Sequence, residues 1–223
     1  MFKYKVAILV DWENIKNKFF QNYSLLKENT PKFFYYKHTS KLPKFFLEFL
    51  EPDETPYRIF FYLAEAYKGK QKKPDGEIVD FSQTEEAKIT DHFINHLSIL
   101  DLVAIRKGRV AFRGWEIVDE NVDESSQKAY KPIFVQKKVD ILLGLDIAHL
   151  TYHKLVDRIL IFSYDTDLQP ALKTARIGGI QIILPFFEEM DWYEIPLDLK
   201  AHSDFIRIRS YHEICCKLLN KTK

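Results

Sequence analysis

Two apolar runs, VAILV at 6–10 and ILIF at 159–162, each give way within five residues to aspartate: Asp11 after the first, Asp165 and Asp167 after the second. An uninterrupted apolar run of strand length is the pattern of a strand buried on both faces, as in a parallel sheet. Acids just past the ends of buried strands are costly, because burial penalises their charge and neighbouring carboxylates repel. A third acid, Asp140, follows Lys137-Lys138-Val139 and opens the apolar stretch DILLGLDIAHL, which also contains Asp146. That placement points to a divalent cation.

The remaining pattern supports the same architecture. Residues 12–28 read as a helix, Tyr57–Ala64 as a strand, 68–77 as a polar loop, and 84–100 as a helix with Ile89, Phe93, Leu97 and Leu100 at helical spacing. Two β-prone runs flank Lys107-Gly108 and predict a hairpin turning there, followed by an acidic polar loop at 119–131. The last third alternates in order: helix 139–150, strand 158–163, helix 168–177 with Gly178-Gly179 as its C-cap, strand Ile180–Pro185, strand Asp204–Ile208 and helix 211–220. Such alternation predicts a doubly wound α/β sheet, which takes ligands just outside the carboxyl ends of its strands. Asp11, Asp165 and Asp167 fall there.

At 223 residues the chain has the size of one large domain, taken as 1–223. Its net charge of +1 gives no global field, yet lysine and arginine outnumber acids over 1–75 and fall slightly below them after residue 140. A polyanion gripped by one part and cut by a metal held in another suits that asymmetry. The two cysteines, Cys215 and Cys216, are adjacent and read as ordinary helix-face residues. No stretch is long and apolar enough to span a bilayer, and no leader pattern is visible, so the expected setting is the cytoplasm, without a membrane partner.

Four segments in order, VAILVDWENI, IRKGRVAFRGW, QKKVDILLGLDIAHL and ILIFSYDTDLQPALKTARIGGIQIIL, resemble the successive signatures of the NYN family. These are PIN-like nuclease domains that include the bacterial LabA-like proteins. The resemblance covers most of the chain and implies a three-layer α/β/α fold with a mostly parallel sheet, carrying an inserted hairpin and loop at about 102–136. It implies a nuclease, most often of RNA, that depends on magnesium or manganese. Asp11, Asp140 and Asp165 then correspond to the core metal-binding acids, with Asp167 and, less directly, Asp146 in support. Asp167 has a second reading as the N-cap of the helix beginning at Leu168, and Asp140 as the cap of its own helix.

Asn14 matches the family's Asn after the first Asp and is suited to hydrogen-bond a carboxylate or a phosphate. Two residues depart from the pattern: Trp12 stands where the family usually has Gly, and Tyr164 replaces a small residue. Trp12 is expected to stack on a base. Arg106, Lys107, Arg109 and Arg113, interleaved with Phe112 and Trp115, are expected to contact the nucleic acid. RNA is the expected partner, and a second copy of the chain is a further one.

Other readings are weaker. A haloacid-dehalogenase-like phosphotransferase needs a second Asp two residues after the first, and DWEN lacks it. A nucleotide-binding α/β protein would carry a Gly-rich phosphate loop, and neither GxGxxG nor GxxxxGK[ST] occurs. A non-catalytic module of the same fold, binding RNA or a protein, is the serious alternative.

Overall fold

The computed structural model describes residues 3–21, 32–33, 35–118 and 130–219, apart from the side chains of Asn17 and Gln21. Strand β1 (Tyr4–Asp11) leads into α1 (Trp12–Ile15), which Asp11 caps by accepting the Asn14 backbone N–H. The chain then widens into a π-helical turn over Lys16–Gln21, so the helix expected at 12–28 is α-helical for four residues only, and its part from 22 onward lies outside the described residues. Helix α2 (Leu42–Leu47) precedes β2 (Glu54–Glu65). Part of the loop expected at 68–77 instead forms a two-stranded ribbon, β3 (Lys70–Lys72) with β4 (Ile78–Asp80). Helix α3 (Glu85–Ser98) begins at Thr84, whose hydroxyl accepts from Ala87, with Glu85 and Glu86 favourably placed in the first turn. It buries Ala87, Phe93, Ile94 and Leu97, while Ile89 is exposed.

Strand β5 (Val103–Ile117) and β6 (Tyr130–Lys137) come next, followed at once by α4 (Val139–Tyr152). The expected turn at Lys107-Gly108 is a correction: both residues lie inside β5. Its first half runs parallel to β2 and its second half antiparallel to β6, and the connection between β5 and β6 falls at 119–129, outside the described residues. Gly108 is there for close approach, since a Cβ would sit 2.5 Å from the Val139 Cγ2 and 2.8 Å from the Lys137 carbonyl. Strand β7 (Arg158–Phe162), α5 (Gln169–Ile177), β8 (Gln181–Phe187), α6 (Leu197–Ala201), β9 (Phe205–Arg209) and α7 (Tyr211–Leu219) complete the chain. Helix α5 ends as expected, with Gly178 capping it and Gly179 taking a left-handed φ of 87°.

The seven-stranded sheet has the order β6-β5-β2-β1-β7-β8-β9, parallel except for β6. Strand order therefore reverses at β1, whose neighbours are β2 on one side and β7 on the other. Helices cover both faces. Phe61 of β2 packs its ring on Phe46 of α2, while the next residue, Tyr62, points the other way and bonds Asp146 of α4. This arrangement is compatible with three α/β/α layers. Val6 to Val10 are wholly buried, in keeping with a strand covered on both sides. Among the described residues no helix is long and apolar enough to cross a membrane.

Candidate functional site

The strand order reverses at β1, and at the carboxyl ends of β1 and β7, where such sheets bind ligands, the expected acids come together. Asp11 is the last residue of β1 and is 5% exposed. Its Oδ2 accepts the Ser163 hydroxyl at 2.9 Å, and its Oδ1 accepts the Asn14 N–H at 3.4 Å. Asp165 follows β7 and caps the short turn Thr166–Leu168, its Oδ1 accepting the Asp167 N–H at 2.9 Å. The capping role expected of Asp167 thus belongs to Asp165, and Asp167 is exposed beside it. Asp140 is the second residue of α4, two residues past the N-cap Lys138. It is not a cap, and its charge faces the positive end of the helix dipole.

These acids feel one another. Burial pushes the Asp11 carboxyl up to about 6, against the lowering hydrogen bonds from Ser163 and Asn14, and the charges of Asp140 and Asp165 push it the same way. Asp140 is raised too, first by burial and then by Asp165 and Asp167. Among the described residues no lysine, arginine or histidine forms an ion pair with any of the four. Nor do three His, Cys, Asp or Glu side chains stand close enough together among those residues to form a ready metal cluster. Oxygen donors without a counter-cation suit a hard divalent ion, which commonly takes one or two carboxylates and keeps its waters.

Ser163 is the residue the sequence reading passed over. It joins the two strands by donating to Asp11 and accepting the Asp165 N–H at 3.3 Å. Its signal was a hydroxyl at the end of an apolar run, two residues before an Asp. Asn14 does not reach a carboxylate through its side chain; its Oδ1 accepts the Tyr164 N–H at 3.0 Å and so ties α1 to the turn that carries Asp165.

Several expected ligands and contacts are placed elsewhere. Asp146 is already engaged, accepting the Tyr62 hydroxyl at 2.8 Å and the Arg106 Nε at 2.7 Å. The Arg106 guanidinium also lies 5.1 Å from the Phe60 ring, so both side chains are already partnered within the fold. Replacing Asp146 by Ala would strand a buried phenol and a half-buried guanidinium. We expect a loss of about 2–3 kcal/mol in chemical denaturation, with divalent-ion binding per folded molecule unchanged. Weakened ion binding would return Asp146 to the metal site.

Trp12 is 3% exposed and stacks on Phe93 at 5.0 Å, with Tyr35 and Phe20 also against it. Base stacking is closed to a ring in that position. Tyr164 does not crowd the acids either: its hydroxyl donates to the Pro185 carbonyl and its ring packs on Phe19. Lys107 pairs with Glu65 at 2.8 Å. Arg109 and Arg113 are exposed and form no ion pair among the described residues. Phe112 and Trp115 join an aromatic cluster with Tyr67, Phe81 and Phe134 beneath the β3–β4 ribbon.

No family model and no curated protein matches the chain. A crystal structure of a protein of unknown function from Vibrio parahaemolyticus is similar over 92% of this chain and 93% of that one, with a TM-score of 0.45 and 10% identity. A likeness of that degree carries no functional argument.

Proposed function

We propose that the chain is a metal-dependent nuclease of the NYN type within the PIN-like fold, hydrolysing phosphodiester bonds in RNA. The observation that carries the reading is the set of aspartates at the strand-order reversal, without a basic ion-pair partner among the described residues, where burial and the neighbouring carboxylates already oppose the ionisation of Asp11 and Asp140. The four ordered sequence signatures support it.

Asp11, Asp140 and Asp165 would hold magnesium or manganese, with Asp167 adding charge on the exposed side. The ion, when bound, supplies Lewis-acid polarisation of the phosphodiester and a more acidic water. Ser163 aims the Asp11 carboxylate and steadies the Asp165 backbone, and Asn14 fixes the turn between them. Arg109 and Arg113, exposed and without an ion pair among the described residues, are the β5 cations that suit phosphate contact. Incubating labelled single-stranded and hairpin RNA with magnesium or manganese should give cleavage that Asp140→Asn and Asp165→Asn each reduce by on the order of 100-fold. Intact RNA from the parent protein, or equal cutting by both variants, would sink the reading.

One observation favours a second reading, a module that binds RNA without cutting it: no three acids stand within metal-cluster range among the described residues. In that case the Asn variants should bind RNA as tightly as the parent or more tightly, as negative charge is removed.

A further inference from the structure

Away from the acids, but on the same carboxyl edge of the sheet, lies a cavity of about 250 Å³. It sits where β2 ends, between the start of α3 and the β5–β6 hairpin, with Tyr67, Phe81 and Phe134 on its walls. Drug-sized ligands occupy about 300–1,000 Å³, so this volume suits one aromatic heterocycle. Phe81 is buried and bridges the other two rings, at 5.6 Å from Tyr67 and 5.2 Å from Phe134. Phe134 is 36% exposed at the wall, an uncovered aromatic surface next to a hole.

The polar lining is selective. Gln136 Nε2 is the one buried side-chain nitrogen or oxygen among the described residues with no hydrogen-bond partner, and Gln136 lines this cavity. A buried amide left unpaired is costly and calls for an acceptor. The charged groups in the lining are Glu13, Glu86 and Lys16, and Lys16 is paired with Glu13. The net charge there is negative, which disfavours a phosphate and admits a neutral ring with hydrogen-bonding edges. A nucleobase has those properties: a flat face for the aromatic walls and an edge of donors and acceptors for a carboxamide.

The cavity also lies within reach of the acids. Gln136 stands four residues before Asp140 across the β6–α4 junction, a chain span of at most about 14 Å. Glu13, also in the lining, is two residues past Asp11. One strand of RNA could therefore place a phosphate at the acids and an unstacked base in the cavity. We infer that this cavity is a nucleobase subsite, in which Gln136 bonds the edge of one unpaired base of a single-stranded RNA while Phe134 and Tyr67 pack its face. The inference rests on the nuclease reading for its substrate, but not for its test.

The four nucleoside 5′-monophosphates have no phosphodiester to cut, so binding can be followed by calorimetry without metal, with ribose 5-phosphate as the baseless control. At least one nucleotide should bind ten or more times tighter than ribose 5-phosphate. Gln136→Leu should lower that affinity about tenfold while the melting temperature stays level or rises, because an unpaired buried amide is removed. Phe134→Ala, a change at a partly exposed position, should weaken binding by a similar factor. Equal affinity for ribose 5-phosphate, no binding of any nucleotide, or unchanged affinity in both variants would each overturn the subsite. Failure here alongside RNA cleavage removes only the subsite, whereas base binding without cleavage removes only the nuclease.

Discussion

Asp11→Asn is expected to melt several degrees above the parent protein at pH 7 without metal, while losing more than 100-fold in metal-dependent RNA cleavage. The two effects share one cause. Burial of Asp11 raises its carboxyl from 3.8 to about 6, so the folded protein at neutral pH carries a charge it holds poorly. The unfolded chain has no such penalty and loses its proton near 3.8. The stability this group contributes is therefore full below about pH 4 and is lost as pH rises through 6. A shift of that size corresponds to at most about 3 kcal/mol, and 2–4 °C per kcal/mol for a chain of this length gives at most roughly 6–12 °C.

Asn keeps Oδ1 for the Asn14 N–H and turns an amide N–H toward the Ser163 hydroxyl oxygen, which then accepts instead of donating, and it carries no charge. Differential scanning fluorimetry with a chelator at pH 7 and at pH 4 checks the claim. The variant's advantage should be present at the first and absent at the second. Saturating magnesium should raise the parent's melting point by mass action and leave the variant near its own. Equal melting at pH 7, or equal stabilisation of both proteins by magnesium, would contradict this account. A site that becomes more stable when its chemistry is removed is one whose charge is kept for a ligand.

The legible parts of this site were those written locally. A buried strand announces itself by an unbroken apolar run, and the residue after it lies at the sheet's carboxyl edge, so Asp11 and Asp165 could be placed from the sequence. The topology followed because strands alternating with helices leave few ways to wind. What escaped depends on partners far along the chain. Asp146 looked available for metal because Tyr62 and Arg106, which occupy it, stand 84 and 40 residues away. Trp12 beside an acid looked like a stacking platform, and its burial against Tyr35 and Phe93 is set by the packing of α3 and the segment before α2. Lys107-Gly108 carried the composition of a turn. The glycine instead answers to Val139, which reaches it only once α4 has packed on the sheet.

At the opposite end of the strands, Glu54→Gln should produce the largest loss of stability from a single polar change, about 3–5 kcal/mol. The Glu54 side chain is wholly buried between two arginines. Arg158 donates to Oε1 at 2.8 Å, and Arg207 donates to Oε2 at 2.7 Å and Oε1 at 2.9 Å. Burial alone would raise the Glu54 carboxyl, but Arg207, the Glu51 backbone N–H and Arg158 outweigh it and hold the group below its ordinary 4.5. Its contribution is thus complete above 4.5 and is lost as pH falls below it, opposite in sign to that of Asp11. Gln keeps the shape and removes the charge, leaving two nearly buried guanidiniums with only the longer contacts to Asp53 at 3.9 Å and Glu51 at 3.6 Å. Denaturant titration at pH 7 should show the loss, and the parent's stability should approach the variant's as pH is lowered beneath 4.5. Replacing Glu54, Arg158 and Arg207 together by Leu, Met and Met should cost less than Glu54→Gln alone, because no charge is then buried unpaired. Cleavage per folded molecule should be unchanged in either protein, since the network stands at the amino ends of β2 and β7 and the acids at the carboxyl ends of β1 and β7. A Glu54→Gln protein as stable as its parent would mean that water reaches these arginines and that the pairing adds little.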